Sequence, residues 1–313
     1  MKVLVTGGAG FIGSHSVEAL CLHGHDVLVL DNFSTGDRKN IANCPDIEIA
    51  GGDIRDFDGL RALLRVNRVD AILHLAALTS DPLSVEQPRE YHDVNLTGTL
   101  NVLDAGRLSG VRRVVLASSS AVYGSGSAVP SREDDQPSPG TPYGLQKWLV
   151  EQYAALYARL YKLETVCLRY FNVYGPRDNP RSSYAGVISI FLKCMIEGAR
   201  SEVFDDGLQT RDYIYVKDVA EVNALALTSD EPSLIGNPMN VGTGKECSVL
   251  EVRSLIAEQL NCSTDFTFGP SRIGDTRRSC ADVSLLLESL GFIPEYTLRK
   301  GLRLSIESVR DTV

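Results

Sequence analysis

Over the first half of the chain the apolar residues fall in short, almost unbroken runs: Lys2–Val5, Asp26–Leu30, Ile47–Ala50, Ala71–Leu75, Arg113–Ala117 and Thr165–Arg169. Runs this short and rich in Val, Ile and Leu read as strands buried on both faces, and longer stretches of helical spacing separate them. The alternation predicts repeated βαβ units, hence an α/β fold with a doubly wound parallel sheet covered by helices on both sides. After Tyr170 the rhythm breaks, and the spacing predicts helices over Gly186–Gly198, Val249–Leu260, Val283–Leu290 and Leu298–Val309. The expected organisation is a first domain over residues 1–172, to which residues of about 210–245 return, and a smaller α/β domain over residues 173–313. The loop signals rich in Ser, Pro and Gly, Ser125–Pro142 and Tyr174–Ser183, should border the site, because open α/β sheets bind ligands beyond the carboxyl ends of their strands.

One helix is too apolar for its place. Gly144–Tyr161 carries Leu145, Trp148, Leu149, Tyr153, Leu156, Tyr157, Leu160 and Tyr161, a band wider than one packing face. Its expected use is contact with a further partner.

The bulk numbers remove several functions. With 313 residues and a net charge of −9, the chain has no basic field for a nucleic acid or an anionic membrane. No apolar stretch approaches the roughly 18 residues that cross a bilayer, and the run before Thr6 is too short for a secretion signal. The 7 cysteines are scattered without C-x-x-C spacing, a pattern of reduced thiols that predicts a cytoplasmic protein. The 5 histidines show no metal-ligand spacing, so no metal site is expected.

Two motifs carry chemistry. Gly7-Gly8-Ala9-Gly10-Phe11-Ile12-Gly13 follows the first strand and opens a helix, where glycines let a pyrophosphate approach backbone N–H groups. Asp31 closes the second strand, where a carboxylate accepts from adenosine ribose hydroxyls and repels a 2′-phosphate, which favours NAD over NADP in a Rossmann-type sheet. Asp53, after the third strand, is placed either for an adenine contact or to begin a turn. The second motif is Thr141-Pro-Tyr-Gly-Leu-Gln-Lys147. Thr141 suits an N-cap and Pro142 the first helical position, so Tyr143 and Lys147 share one helix face. An ammonium, a helix N-terminus and an oxidised nicotinamide could together bring a phenol from its ordinary value of about 10 towards neutrality. Ser118–Ser120 end the fifth strand and place hydroxyls that could relay a proton to that phenol.

Taken together, Gly7-x-x-Gly10-x-x-Gly13, Asp31-Asn32, His74-Leu-Ala-Ala77, Ser118-Ser-Ser-Ala-Val-Tyr-Gly124, Tyr143-x-x-x-Lys147 and Arg169-Tyr-Phe-Asn-Val-Tyr-Gly-Pro176 resemble the extended short-chain dehydrogenase/reductase superfamily, specifically its NAD-dependent nucleotide-sugar epimerases. The resemblance spans nearly the whole chain. It implies Ser119, Tyr143 and Lys147 as catalytic residues. It implies an NAD site made by Gly7, Gly10, Phe11, Ile12, Gly13, Asp31, Asn32, Ser34, Asp53, Ile54, Leu75, Ala76, Ala77, Asn95, Tyr143, Lys147 and Tyr170. For the UDP-sugar it implies Ser120, Asn172, Arg211, Arg272, Asp275 and Ser279. Ser279 stands where such epimerases carry a large residue to reject N-acetyl groups, and serine leaves room for UDP-N-acetylglucosamine beside UDP-glucose. The helix pair Gly144–Tyr161 and Tyr91–Leu108 resembles the one through which these enzymes form homodimers.

The implied reaction is inversion at C4 of a UDP-hexose through a 4-keto sugar. Related dehydratases carry Asp-Glu after the active hydroxyl, whereas Ser120 and Ala121 stand here. The alternatives are another nucleotide-sugar-modifying enzyme of the same fold, a 4,6-dehydratase or a decarboxylase, and a non-catalytic NAD-binding regulatory protein.

Overall fold

The computed structural model of the chain describes residues 1–126, 128–179, 186–262, 265–270 and 276–310. The first half runs β1 (Lys2–Thr6), α1 (Phe11–Leu22), β2 (Asp26–Asp31), β3 (Glu48–Gly51), α2 (Phe57–Asn67), β4 (Ala71–His74), α3 (Asp81–Glu86), α4 (Pro88–His92), α5 (Gly98–Ser109), β5 (Arg113–Ser119), α6 (Pro142–Tyr161) and β6 (Glu164–Tyr170). The second half runs β7 (Asn172–Tyr174), α7 (Val187–Ile196), β8 (Ser201–Phe204), β9 (Thr210–Tyr215), α8 (Val216–Thr228), β10 (Pro238–Val241), β11 (Glu246–Ser248), α9 (Val249–Leu260), β12 (Phe266–Gly269), β13 (Arg278–Ser279), α10 (Ser284–Leu290) and α11 (Leu298–Arg310).

The apolar runs are central strands. A 7-stranded sheet lies in the order β10-β6-β5-β4-β1-β2-β3, every pair parallel. Alternate residues of one strand enter different cores. Val3 and Val5 pack with Leu73, Val17 of α1 and Val219 of α8, while Leu4 packs with Ile72, Leu60 of α2 and Val102 of α5. Each such side chain, taken wholly out of water, contributes roughly 1.5–3 kcal/mol. Both faces are covered, which makes this a Rossmann-type, doubly wound α/β fold. The chain winds outward from β1 to β3 and then restarts at β4 on the other side of β1, so the carboxyl ends of β1 and β4 flank the crevice where such sheets bind ligands.

The predicted helix over Tyr91–Leu108 is interrupted. α4 and α5 are joined by one turn of π-helix, Asp93–Thr97. The hydroxyl of Thr99 donates to the carbonyl of Asn95 at 2.5 Å and so competes with the helical N–H donors, and the Asn95 side chain is turned to clamp Leu78.

The second half contributes both to this sheet and to two smaller ones, of 4 and 2 strands. β10 pairs with β6, and α8 packs beside α1 on the same face of the sheet. β7, β11 and β13 all pair with β9, β8 pairs with β12, and Phe191, Val203, Tyr213, Val252, Ile256 and Leu302 form a separate core. Among the described residues no helix is long and apolar enough to cross a membrane.

Candidate active site

The first strand-to-helix turn is built for close approach. Gly7 has φ +70°, and a Cβ there would lie 2.8 Å from the Ala76 nitrogen; a Cβ on Gly13 would overlap the Gly7 carbonyl oxygen. α1 begins after Gly10, which offers no side-chain cap, so the orphan N–H groups of its first turn are left for an outside acceptor. The buried Asp31 carboxylate accepts from Ala9 N at 2.9 Å and Phe33 N at 2.8 Å, which ties the end of β2 to the glycine turn. Asn32 donates to Asp53 at 3.0 Å and accepts from Ser34 N at 3.0 Å. Asp53 is also gripped by Arg55 at 2.7 Å, a partner that the sequence did not single out, and this ion pair holds its carboxyl well below the usual range. Ile54 is buried under Gly98. These residues form one connected rim around the ends of β1, β2 and β3, and an uncapped helix start beside an acidic strand end fits an adenine dinucleotide.

The floor of the crevice is a polar chain. His74, at the end of β4, bonds Thr6 Oγ1 through Nδ1 at 2.7 Å and Thr99 Oγ1 through Nε2 at 2.9 Å. Burial pushes this imidazole down to about 3, so it is neutral at physiological pH. Asn95 accepts from Leu78 N and donates to Leu78 O, which fixes the segment Leu75–Ala77 at the mouth of β4.

The catalytic candidates meet at the next strand end. Thr141 accepts the Gly144 N–H at 3.1 Å and Pro142 opens α6, so the expected cap forms. Tyr143 and Lys147 are both buried on one face of the helix. Lys147 Nζ donates to Ala117 O on β5 at 2.8 Å and lies 5.8 Å from the centre of the Tyr143 ring. Burial pushes Lys147 down to about 8, against the negative charge of Glu151. Burial pushes the Tyr143 phenol up, whereas a hydrogen bond with Ser119 pulls it down. Ser119 also accepts from Ala121 N at 3.2 Å, which turns the chain so that Ser120 opens the loop beyond the sheet. Tyr170, level with Ser119 in β6, directs its hydroxyl to Asn223 at 2.6 Å.

Behind this corner lies a buried ion pair. Ser118 donates to Glu151 at 2.5 Å, Arg169 grips both oxygens of Glu151 at 2.9 and 2.7 Å, and Arg169 also donates to Tyr123, which donates to Asn240. The sequence held one signal for it, since Glu151 stands four residues beyond Lys147.

The small sheet gathers the residues expected to hold the nucleotide sugar. Asn172 on β7 donates to Asp212 O at 3.3 Å, and Ser279 on β13 is level with Arg211 on β9. Asp212 itself is buried and accepts from Thr243 and Gly244, pinning the loop after β10. Arg272 and Asp275 lie outside the described residues.

The fold, the glycine turn and the Ser–Tyr–Lys corner define a dinucleotide-binding enzyme of the Rossmann type. Comparison with known proteins narrows this. The model of the NAD dependent epimerase/dehydratase family matches residues 3–242. A UDP-glucose 4-epimerase of Mycolicibacterium smegmatis is 39% identical over 315 residues, covering 99% of each chain. The crystal structure of a UDP-glucose 4-epimerase with UDP-glucose from Thermotoga maritima superposes with a TM-score of 0.95 at 36% identity, covering 100% of this chain and 99% of that one. A UDP-N-acetylglucosamine 4-epimerase from Methanobrevibacter ruminantium, in complex with UDP-N-acetylmuramic acid, gives a TM-score of 0.93 at 36% identity over the same shares. This chain belongs to the NAD-dependent epimerase/dehydratase family, and NAD is its cofactor.

Proposed function

We propose that this protein is an NAD-dependent 4-epimerase of UDP-hexoses that interconverts UDP-glucose with UDP-galactose and UDP-N-acetylglucosamine with UDP-N-acetylgalactosamine. The observation that carries this reading is the convergence of Ser119, Tyr143 and Lys147 at the end of β5, next to the crevice at β1. When bound, NAD supplies a reversible hydride acceptor. Tyr143 takes the proton of the sugar 4-hydroxyl through or beside Ser119, and Lys147 keeps a positive charge near the phenolate so formed. Asn172, Arg211 and Arg272 would keep the diphosphate anchored, and Asp275 the uridine ribose, while the 4-keto sugar turns its other face. Tyr143 then returns the proton to the 4-oxygen, and the hydride that bound NAD would have accepted from C4 would come back to the opposite face, so that C4 is inverted with no net oxidation.

Ser120 and Ala121 follow the reactive serine where a dehydratase needs carboxylic acids, which favours epimerisation over elimination. Assembly as a homodimer is supported by Leu108, Leu145, Leu160 and Tyr161, which leave 41%, 43%, 56% and 47% of their surface exposed on α5 and α6. The test is direct. Purified protein is mixed with UDP-galactose or UDP-N-acetylgalactosamine, without added cofactor when NAD co-purifies, and the 4-epimer is sought. Tyr143→Phe should keep NAD and lose turnover by a factor of about 10² or more. Full turnover in that variant would refute the assignment of the base.

A further inference from the structure

The first turns of α3 and α6 are joined by side chains on both sides of Tyr143. Thr141, the cap of α6, donates its hydroxyl proton to the Asp81 carboxylate while accepting from Gly144 N. Ser84 donates to the backbone oxygen of Asp81 at 2.6 Å and accepts from Tyr143 N at 3.2 Å. Capping alone does not need a charge here, because Thr141 already supplies the cap and a neutral acceptor would hold its hydroxyl. The proposed chemistry does not use this carboxyl either, since its proton steps run through Ser119 and Tyr143. An anion placed beside a group that must itself become an anion resists that change. Burial raises the Asp81 carboxyl above its ordinary range, with Thr141 pulling it down, and its charge adds to the burial that holds the Tyr143 phenol up. The other polar groups that face this corner are Lys147 from α6, Ser119 from β5, Ser84 from α3, Tyr91 from α4 through Ser80 N, and His74 from β4, whose burial keeps it neutral.

We propose that Asp81 is a positioning residue for Tyr143: it fixes the first turn of α6 through Thr141 and keeps the phenol protonated until the positive charge of oxidised cofactor offsets its own. The inference rests on the functional reading above. It makes Tyr143 a base chiefly when the site holds the oxidised cofactor, so the carboxylate couples proton removal to readiness for hydride removal.

The experiment uses NAD-loaded protein. Tyrosinate absorbance is titrated with pH in wild type and in Asp81→Asn, each corrected by the same chain carrying Tyr143→Phe, and kcat/KM is measured across pH in parallel. Asn keeps an acceptor for Thr141 and removes the charge, so Tyr143 should ionise about one pH unit lower and the acid limb of kcat/KM should move down with it. Asp81→Glu, which keeps the charge, should retain the wild-type profile. An acid limb and a tyrosinate titration that stay put or move up in Asp81→Asn would overturn the inference. Should Tyr143→Phe retain turnover, the functional reading itself fails. An inactive Tyr143→Phe together with an unmoved Asp81→Asn profile sinks this inference alone. Should Asp81→Asn not fold, Thr141→Val separates the parts: releasing the carboxylate from α6 should shift the same titration, and an unchanged titration would again overturn the inference.

Discussion

Lys147 donates from Nζ to the carbonyl oxygen of Ala117 at 2.8 Å, so the cation nearest Tyr143 is fixed to the strand that ends in Ser119. A single helix thus sets the spacing of phenol and ammonium, and a single strand sets that of ammonium and hydroxyl. The geometry of the corner depends on α6 lying correctly across β5.

The buried ammonium should leave a signature in the pH dependence of stability. Lys147 is pushed from the ordinary lysine value of 10.5 down to about 8. Between those pH values the unfolded chain holds the proton that the folded chain releases, so stability rises with pH through that window and the cost of burial is fully felt below it. Measured against Lys147→Met, the wild type should gain roughly 3 kcal/mol between pH 8 and 10.5. Urea unfolding of both proteins at the two ends of the window checks this, and a constant difference would refute it. Turnover in Lys147→Met should fall by about 10² or more.

His74 gives the same sign in a lower, acid window. Its neutral form is locked between Thr6 and Thr99, with its value lowered from 6.5 to about 3. The stability this confers is complete above pH 6.5 and is lost as the pH falls towards 3, because the unfolded chain takes up the proton first. At pH 5 the wild type should have lost about 2 kcal/mol relative to His74→Gln, compared with their difference at pH 7. Parallel denaturant titrations at the two pH values measure it.

The pair Glu151–Arg169 predicts a strongly non-additive result. Both side chains are buried, and each is the main partner of the other. Glu151→Ala alone strands a buried guanidinium and should cost about 3–5 kcal/mol. Replacing both residues by methionine should recover most of that loss. A double-mutant cycle that adds up would show that the pair is uncoupled.

Ser279 is the place to look for sugar selectivity. It stands level with Arg211 on the small sheet. Ser279→Tyr should spare UDP-glucose turnover and reduce that of UDP-N-acetylglucosamine by about 10- to 100-fold. An unchanged ratio of the two rates would remove Ser279 from the sugar pocket.

Much of the large sheet was readable because its strands are covered on both faces, so their apolar runs have few competing readings. Predicted and observed ends differ by no more than a residue or two; the largest extension is β5, which runs on to Ser119 because Ser118 and Ser119 still pair with Arg169 and Tyr170 of β6. The cap Thr141 and the pair Tyr143 and Lys147 were legible for the same reason, since one helical turn sets them. Contacts between distant segments left no comparable mark. Asp81 and Thr141 meet across 60 residues of chain, and Arg169 meets Tyr123 across 46. The π turn at Asp93–Thr97 depends on where Asn95 and Thr99 find partners, which helical spacing does not record. The smaller sheet was hidden because strands such as β7 and β13 are too short to show a period and pair with a segment far along the chain.

The position of β10 at the edge of the large sheet has a consequence for how the chain matures. Asn240 on that strand completes the polar surroundings of Tyr123, and through it those of Arg169. During synthesis, β1 to β6 can emerge and collapse long before residue 240 leaves the ribosome, so the guanidinium waits with part of its enclosure missing. The last strand to join is thus a latch whose late arrival should slow the final step of folding, and nascent chains shorter than this should remain candidates for chaperones.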